Sequence, residues 1–149
     1  MSLTNEFKLK LIGKNEEDLK VISAYLQDSI VAVRDIIYLK KNRTFIMVVN
    51  RFMWEDVERG VFRQNKRIRC AVKFEDVTNV RCKNVNQKKR DKILECLAIK
   101  FISKIDKDHE IRIFFSGDSI ITINTECIEV VLDDLNEPWN VKHVPKHKI

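Results

Sequence analysis

The chain has 149 residues, a net charge of +6, 34% charged residues and only three glycines. This length can bury one core, and this composition excludes a disordered or low-complexity chain. Charged residues appear before any apolar segment at the start, so no secretory signal is predicted. The longest apolar run, Phe45 to Val49, is far shorter than the roughly 18 residues of a membrane-spanning helix. We therefore predict a cytoplasmic protein with a single domain over residues 1–149.

Residues 1–29 predict a strand followed by a helix. Phe7 to Leu11 alternates apolar and basic residues, which is the period of a half-buried strand, and Gly13 ends it. Asn15 suits the N-cap of a helix, and the acidic residues 16–18 suit its positive end. The apolar positions that follow at helical spacing are Leu19, Ile22, Tyr25 and Leu26. This stripe predicts a helix that packs on a sheet.

Residues 30–124 predict an antiparallel sheet of seven strands, because the hydrophobic period falls to about two and β-branched residues become frequent. The predicted strands are Ile30–Leu39, Thr44–Trp54, Lys66–Phe74, Val77–Asn84, Ile93–Ile102, Glu110–Phe115 and Ser119–Asn124. The connections at 40–43, 75–76 and 116–118 are too short for a parallel return. They predict hairpins, and therefore a meander.

Residues 125–137 predict a C-terminal helix followed by a basic tail at 138–149. The stripe consists of Cys127, Ile128, Val131, Leu132 and Leu135. A strand and helix, seven antiparallel strands and a closing helix follow the element order of a pleckstrin-homology-like barrel. By this analogy the sheet curls and the last helix closes one end. A flat sheet backed by both helices is the competing layout, and both layouts belong to the α+β class.

The positive charge is concentrated in residues 63–92, which contain eleven basic and three acidic residues and so carry +8. Because the whole chain carries +6, the remainder carries −2. The residues predicted to contact nucleic acid or another anionic partner are Arg67, Arg69, Lys73, Arg81, Lys88, Lys89 and Arg90. Alternatively, these side chains line the solvent face of strands and a loop, where they favour solubility and oppose edge pairing.

A second candidate site lies at the end of an apolar strand, where polar side chains surround two aromatic rings. The residues predicted to face a ligand pocket there are Asn50, Arg51, Trp54 and Glu55. The alternative is a surface ion pair between Arg51 and Glu55 beside a buried Trp54.

The sequence predicts no catalytic residue, no metal site and no cofactor. It has no glycine-rich phosphate loop and no nucleophile elbow, and Pro145 stands between His143 and His147, which argues against a helical metal pair. The four cysteines form no Cys-x-x-Cys pair, so we expect four free thiols in the core. An enzyme is therefore not favoured.

Four separated segments resemble one protein family. They are Leu9-Lys10-Leu11-Ile12, Asp18 to Asp28, Val49 to Glu55 and Glu126-Cys127-Ile128-Glu129. In their order along the chain they resemble a small alphaproteobacterial family, the domain of unknown function 2948 family. The resemblance implies a bacterial cytoplasmic protein, and it transfers no catalytic residue because the family has no assigned activity.

Three functions remain open from the sequence. The first is a non-enzymatic binding or adaptor module with a protein partner. The alternative is a nucleic-acid-binding protein that uses the basic segment 63–92. The third is a small-molecule enzyme built around Arg51, Trp54 and Glu55. The sequence predicts no transmembrane segment and leaves the oligomeric state open.

Overall fold

The computed structural model describes residues 8–54, 66–106, 108–135 and 139–140. Its helix α1 spans Glu16–Leu26, and its strands are β1 Lys10–Gly13, β2 Ile30–Ala32, β3 Ile36–Leu39, β4 Thr44–Phe52, β5 Lys66–Phe74, β6 Val77–Lys83, β7 Ile93–Ile105, β8 Asp108–Phe115, β9 Ser119–Thr125, β10 Val130–Asp134 and β11 Trp139–Asn140. Within these residues, no helix has the length and apolar character to cross a membrane.

The predicted N-terminal strand and helix are both present, because their signals are local. The Asn15 side chain accepts a hydrogen bond from the Asp18 amide at 2.8 Å and so caps α1. The Asp18 carboxylate in turn accepts from the Lys14 amide at 2.9 Å. The buried stripe of α1 is Leu19, Ile22 and Leu26. The helix therefore begins where its cap predicts and packs its apolar face inward.

The strands form one antiparallel sheet with the order β1-β10-β5-β4-β2-β7-β8-β9-β6, while β3 also pairs with β4 and β11 also pairs with β5. The antiparallel sheet and the α+β class are confirmed. The predicted meander of seven strands is wrong, since β6 pairs with β9 and so completes a Greek-key order with β7 and β8. The sheet is open, with β1 and β6 at its ends, so the closed barrel is not confirmed.

The connection at Glu75–Asp76 is a corner rather than the predicted hairpin. β5 pairs with β4 and β10, whereas β6 pairs with β9. Asp76 has a φ of 55°, and its carbonyl accepts from the Glu126 amide at 3.0 Å. The chain thus leaves one part of the sheet and enters another, a change of direction that loop length alone does not reveal.

The predicted first strand Ile30–Leu39 is interrupted. A 3-10 turn at Val33–Asp35 separates β2 from β3. Both pieces pair with β4, and β2 additionally pairs with β7. After the turn, β3 pairs with β4 alone among the described strands. Because β2 runs antiparallel to β7, the residues of β7 after Glu95 lie beside the chain that precedes Ile30, which ends in α1 and residues 27–29. This is why β7 has a strand partner on this side only near its beginning.

The predicted C-terminal helix is wrong, because residues 130–134 form strand β10. Leu132 pairs with Leu11 of β1 on one side and with Val72 of β5 on the other. Burial alternates along β10, as expected for a strand. A short apolar segment fits both periods, and here the hydrogen bonds available from β1 and β5 decide for the strand.

One cluster of buried side chains joins α1 to both parts of the sheet. It includes Phe45 of β4, Val72 of β5, Ile113 of β8 and Leu132 of β10. The division of the chain into a single domain with a basic tail concerns residues beyond the described ranges as well, and it stays a prediction.

Candidate functional site

Strand β7 has an unpaired edge over most of its length. β2 pairs only with its first three residues, Ile93 to Glu95. Backbone hydrogen bonds from the Asp28 amide to the Cys96 carbonyl and from the Cys96 amide to the Ser29 carbonyl, both 2.8 Å, extend the contact by one residue. Beyond Cys96, no other strand of the described chain pairs with this side of β7.

Helix α1 lies beside this edge and engages one of its backbone groups. The Ile99 amide donates to the Ser23 hydroxyl at 2.9 Å. The register with β8 is regular from Ala98 to Phe101, so backbone groups alternate between the two sides of the strand. The Ile99 carbonyl and both backbone groups of Phe101 therefore point to the unpaired side, as the Ile99 amide does.

A cavity of about 300 Å³ opens between α1 and this edge. We call it the α1–β7 groove, and its lining residues are Glu16, Leu19, Lys20, Ser23, Ile99, Lys100 and Phe101. Leu19 and Ile99 are buried, whereas Glu16, Lys20 and Lys100 are exposed. The groove therefore has an apolar interior and a charged rim.

Two β-bulges border the regular segment of the edge. The register of β7 against β8 shifts between Cys96 and Ala98 and again between Phe101 and Ser103. Bulges twist an edge strand and oppose long, uncontrolled pairing. They leave only the short segment from Ala98 to Phe101 suited to regular strand addition. In the sequence, the adjacent apolar pairs at 96–97 and 101–102 interrupt the alternation of the predicted strand, and the structure leaves Leu97 and Ile102 exposed.

Four of the seven predicted basic contacts have partners inside the chain. Arg67 donates to the backbone carbonyls of Asp28 at 3.2 Å and Asn50 at 3.0 Å, and burial lowers its pKa. The other three form ion pairs: Arg69 with Asp35 at 3.7 Å, Lys73 with Glu75 at 3.6 Å and Arg81 with Glu110 at 3.0 Å. These side chains are therefore already engaged.

The remaining three, Lys88, Lys89 and Arg90, are exposed in the connection between β6 and β7. This connection is anchored to the 3-10 turn, because the Arg34 amide donates to the Arg90 carbonyl at 2.9 Å. The Arg34 guanidinium also pairs with Asp91 at 2.7 Å. The structure thus places three of the seven residues in the anchored β6–β7 connection and the other four on strands β5 and β6.

The predicted pocket at 50–55 is organised around a buried ion pair. The Arg51 guanidinium donates from Nε and Nη2 to the two Asp134 carboxylate oxygens, at 2.8 and 2.7 Å, and both side chains have an exposed fraction of 0%. The Trp54 indole donates to the Gln27 carbonyl at 2.8 Å. Asn50, Arg51 and Trp54 do not line the α1–β7 groove, and Glu55 lies outside the described residues.

A family model described as a protein of unknown function, DUF2948, matches residues 9–147. The chain belongs to the DUF2948 family. Comparisons with curated proteins and with solved structures found no match. The match includes every residue of the α1–β7 groove. The family's description assigns no function to any residue, and an alphaproteobacterial origin stays a prediction.

The thiols of this DUF2948 protein are poorly suited to nucleophilic chemistry. Cys70 and Cys96 are buried as predicted, whereas Cys82 and Cys127 are exposed, so the prediction of four core thiols is wrong for two. Burial raises the pKa of Cys96 to about 12. A hydrogen bond to the Asp76 carboxylate raises the pKa of Cys127 to about 11. Since the thiolate is the nucleophile, these shifts lower thiol reactivity.

Within the described ranges, no group of three His, Cys, Asp or Glu residues could hold a metal ion. His109 lies on β8, with its ring 5.9 Å from the Phe101 ring. His143 and His147 fall outside the described residues. The candidate functional site is the α1–β7 groove, which combines an unpaired strand edge with an apolar interior.

Proposed function

We propose that this DUF2948 protein is a non-enzymatic binding module that holds an extended segment of a partner protein in the α1–β7 groove. The observation that carries the proposal is the unpaired edge of β7 beside a cavity formed with α1. An extended peptide can add to such an edge as a further strand. In this binding mode, backbone hydrogen bonds supply affinity and a pocket for side chains supplies specificity.

The edge sets the backbone part of the interaction. The Ile99 carbonyl, the Phe101 amide and the Phe101 carbonyl offer one donor and two acceptors to a bound peptide. The Ile99 amide already donates to the Ser23 hydroxyl, so a bound peptide pairs with the three remaining backbone groups and not with this amide. Three hydrogen bonds over this short segment fit a weak, reversible interaction rather than a permanent assembly.

The groove sets the side-chain part. Its buried residues Leu19 and Ile99 favour an apolar anchor, which the 300 Å³ space can hold. At the rim, Lys20 is paired with Glu17 at 3.3 Å, whereas Lys100 has no carboxylate partner in the described chain. We therefore expect a partner segment in which an acidic residue next to the apolar anchor faces Lys100.

The test is selection from a displayed library of random linear peptides, followed by affinity measurement with the purified chain. Lys20→Trp places a large side chain at the groove rim, and Val21→Trp makes the same change on an exposed helix position outside the groove. We expect Lys20→Trp to weaken binding about tenfold or more and Val21→Trp to leave it unchanged. Lys100→Glu should lower the affinity for acidic peptides more than the affinity for neutral ones.

Amide hydrogen exchange locates the bound peptide. Binding should slow exchange of the Phe101 amide, which faces the unpaired edge, more than exchange of the Lys100 amide, which faces β8. Selected peptides that leave exchange at Phe101 unchanged would refute the groove as the site. Self-association that Lys20→Trp abolishes would instead identify a second copy of the chain as the occupant and would overturn the partner proposal.

Nucleic-acid binding through residues 63–92 is the second candidate, motivated by the exposed Lys88, Lys89 and Arg90. It is weaker because the other four predicted contacts are engaged within the chain. It predicts binding to a mixed RNA and DNA pool that falls by orders of magnitude between about 50 and about 200 mM salt. Binding retained after all three are changed to glutamate would exclude this loop. A cytoplasmic location stays a prediction under either function.

A further inference from the structure

A second cavity, of about 190 Å³, lies between β3, β6 and the β6–β7 connection, away from the α1–β7 groove. Most of its lining is apolar, with Ile36 and Phe45 on one side and Val80 and Ile121 on the other. None of its lining residues belongs to α1 or β7. It is therefore a separate space and not an extension of the groove.

The polar groups of this cavity come mainly from β6 and the connection that follows it. Arg90 is the one charged residue in its lining, and Gln87 adds an amide. In the described chain, the Arg90 guanidinium has no hydrogen-bond or ion-pair partner, although its backbone is anchored to Arg34 at 2.9 Å. The nearby Asp91 carboxylate is paired with Arg34. The exposed Arg90 guanidinium thus borders an apolar space and has no partner within the described chain.

Size narrows the ligand class. An apolar cavity of about 150 Å³ accommodates benzene, so 190 Å³ accommodates a single ring or a short branched chain with a small substituent. A guanidinium favours a carboxylate, which it can bind through two parallel hydrogen bonds. From these observations we propose that the cavity binds a small organic carboxylate whose apolar part is about the size of one aromatic ring.

The probe is phenylacetate, and its binding is measured by the changes it causes in the amide chemical shifts of the isotopically labelled full chain. Phenylacetamide keeps the ring and removes the charge, and acetate keeps the charge and removes the ring. We expect phenylacetate to shift the amides of Val80, Val85 and Arg90 saturably, and both controls to bind about tenfold more weakly or not at all. Equal affinity for phenylacetate and phenylacetamide would overturn the role of Arg90.

Two variants complete the test. Arg90→Gln should abolish the preference for phenylacetate over phenylacetamide, whereas Lys88→Gln, a matched loss of charge in the same loop outside the cavity, should preserve it. Equal loss in both variants would indicate a general charge effect and would overturn the site. So would the absence of saturable shifts in the unmodified chain. Lys20→Trp should leave phenylacetate binding unchanged, because Lys20 lies in the α1–β7 groove and not in this cavity. This result distinguishes failure of the cavity proposal from failure of the groove proposal.

Discussion

Replacing Arg51 with methionine tests whether the buried ion pair stabilises the sheet by linking β4 to β10 across the intervening strand β5. The Asp134 carboxylate accepts two hydrogen bonds from Arg51 and one from the Leu9 amide at 2.7 Å. The Arg51 guanidinium also lies 5.7 Å from the centre of the Tyr25 ring. Removing Arg51 leaves the buried Asp134 carboxylate without its charged partner. The pair therefore links the N-terminal segment, α1, β4 and β10.

The expected cost is large. Breaking a fully buried ion pair by removing one partner lowers the free energy of unfolding by about 3–5 kcal/mol. The whole domain is expected to have only about 5–15 kcal/mol. Replacing both members, as in Arg51→Met with Asp134→Leu, removes the uncompensated charge. The double variant leaves the Leu9 amide without its acceptor, at about 1 kcal/mol. It should therefore be more stable than either single variant.

Urea unfolding followed by circular dichroism measures all four proteins of this double-mutant cycle. We expect a coupling free energy above about 2 kcal/mol between the two positions. The slope of unfolding free energy against urea should stay unchanged, because the surface exposed on unfolding is nearly the same. Losses below about 1 kcal/mol in the single variants, or simple additivity in the double variant, would refute the argument.

Three further changes probe local geometry. Gly13→Ala should lower the free energy of unfolding by about 1–3 kcal/mol, because the added Cβ would lie 2.8 Å from Cδ1 of the buried Ile22; urea unfolding measures it. Ser23→Ala should cost about 1 kcal/mol, because the β7 amide loses its acceptor, and it should speed hydrogen exchange at that amide. Asp76→Asn should lower the pKa of Cys127 from about 11. In a variant that lacks Cys82, the other exposed cysteine, labelling of the Cys127 thiol at pH 8 should therefore accelerate about tenfold.

The parts of the fold that depend on local signals were predictable. Residues close together in the sequence determine the cap at Asn15, the apolar stripe of α1 and the alternating burial of β8 and β9. The order of the strands depends instead on contacts between distant segments. β10 forms because β1 and β5 offer hydrogen bonds on both sides, and these two strands are separated by more than fifty residues. A helical stripe in sequence could not reveal that competition.

Turns were harder to interpret because the chain contains few glycines. Among the described residues, six that are not glycine have positive φ, and five of these are aspartate or asparagine, the residue types that tolerate this conformation best. Asp76 and Asp118 illustrate the difficulty. Both occupy short connections, yet Asp118 joins the paired strands β8 and β9, whereas Asp76 joins strands that do not pair. The residue type marks the turn, but its direction is set by the partners of the flanking strands.

The candidate sites were equally hidden, since they arise where the sheet has no continuing partner. β7 lacks a strand beside its later residues, and α1 approaches that edge to form the groove. β6 ends the sheet, and β3 lies near it without pairing, bridged by a hydrogen bond from the Tyr38 hydroxyl to the Val77 carbonyl at 2.9 Å. The second cavity lies between these two strands. In the described chain, both spaces therefore lie beside a strand that lacks a strand partner on one side, and this shared feature is the structural basis of both binding proposals.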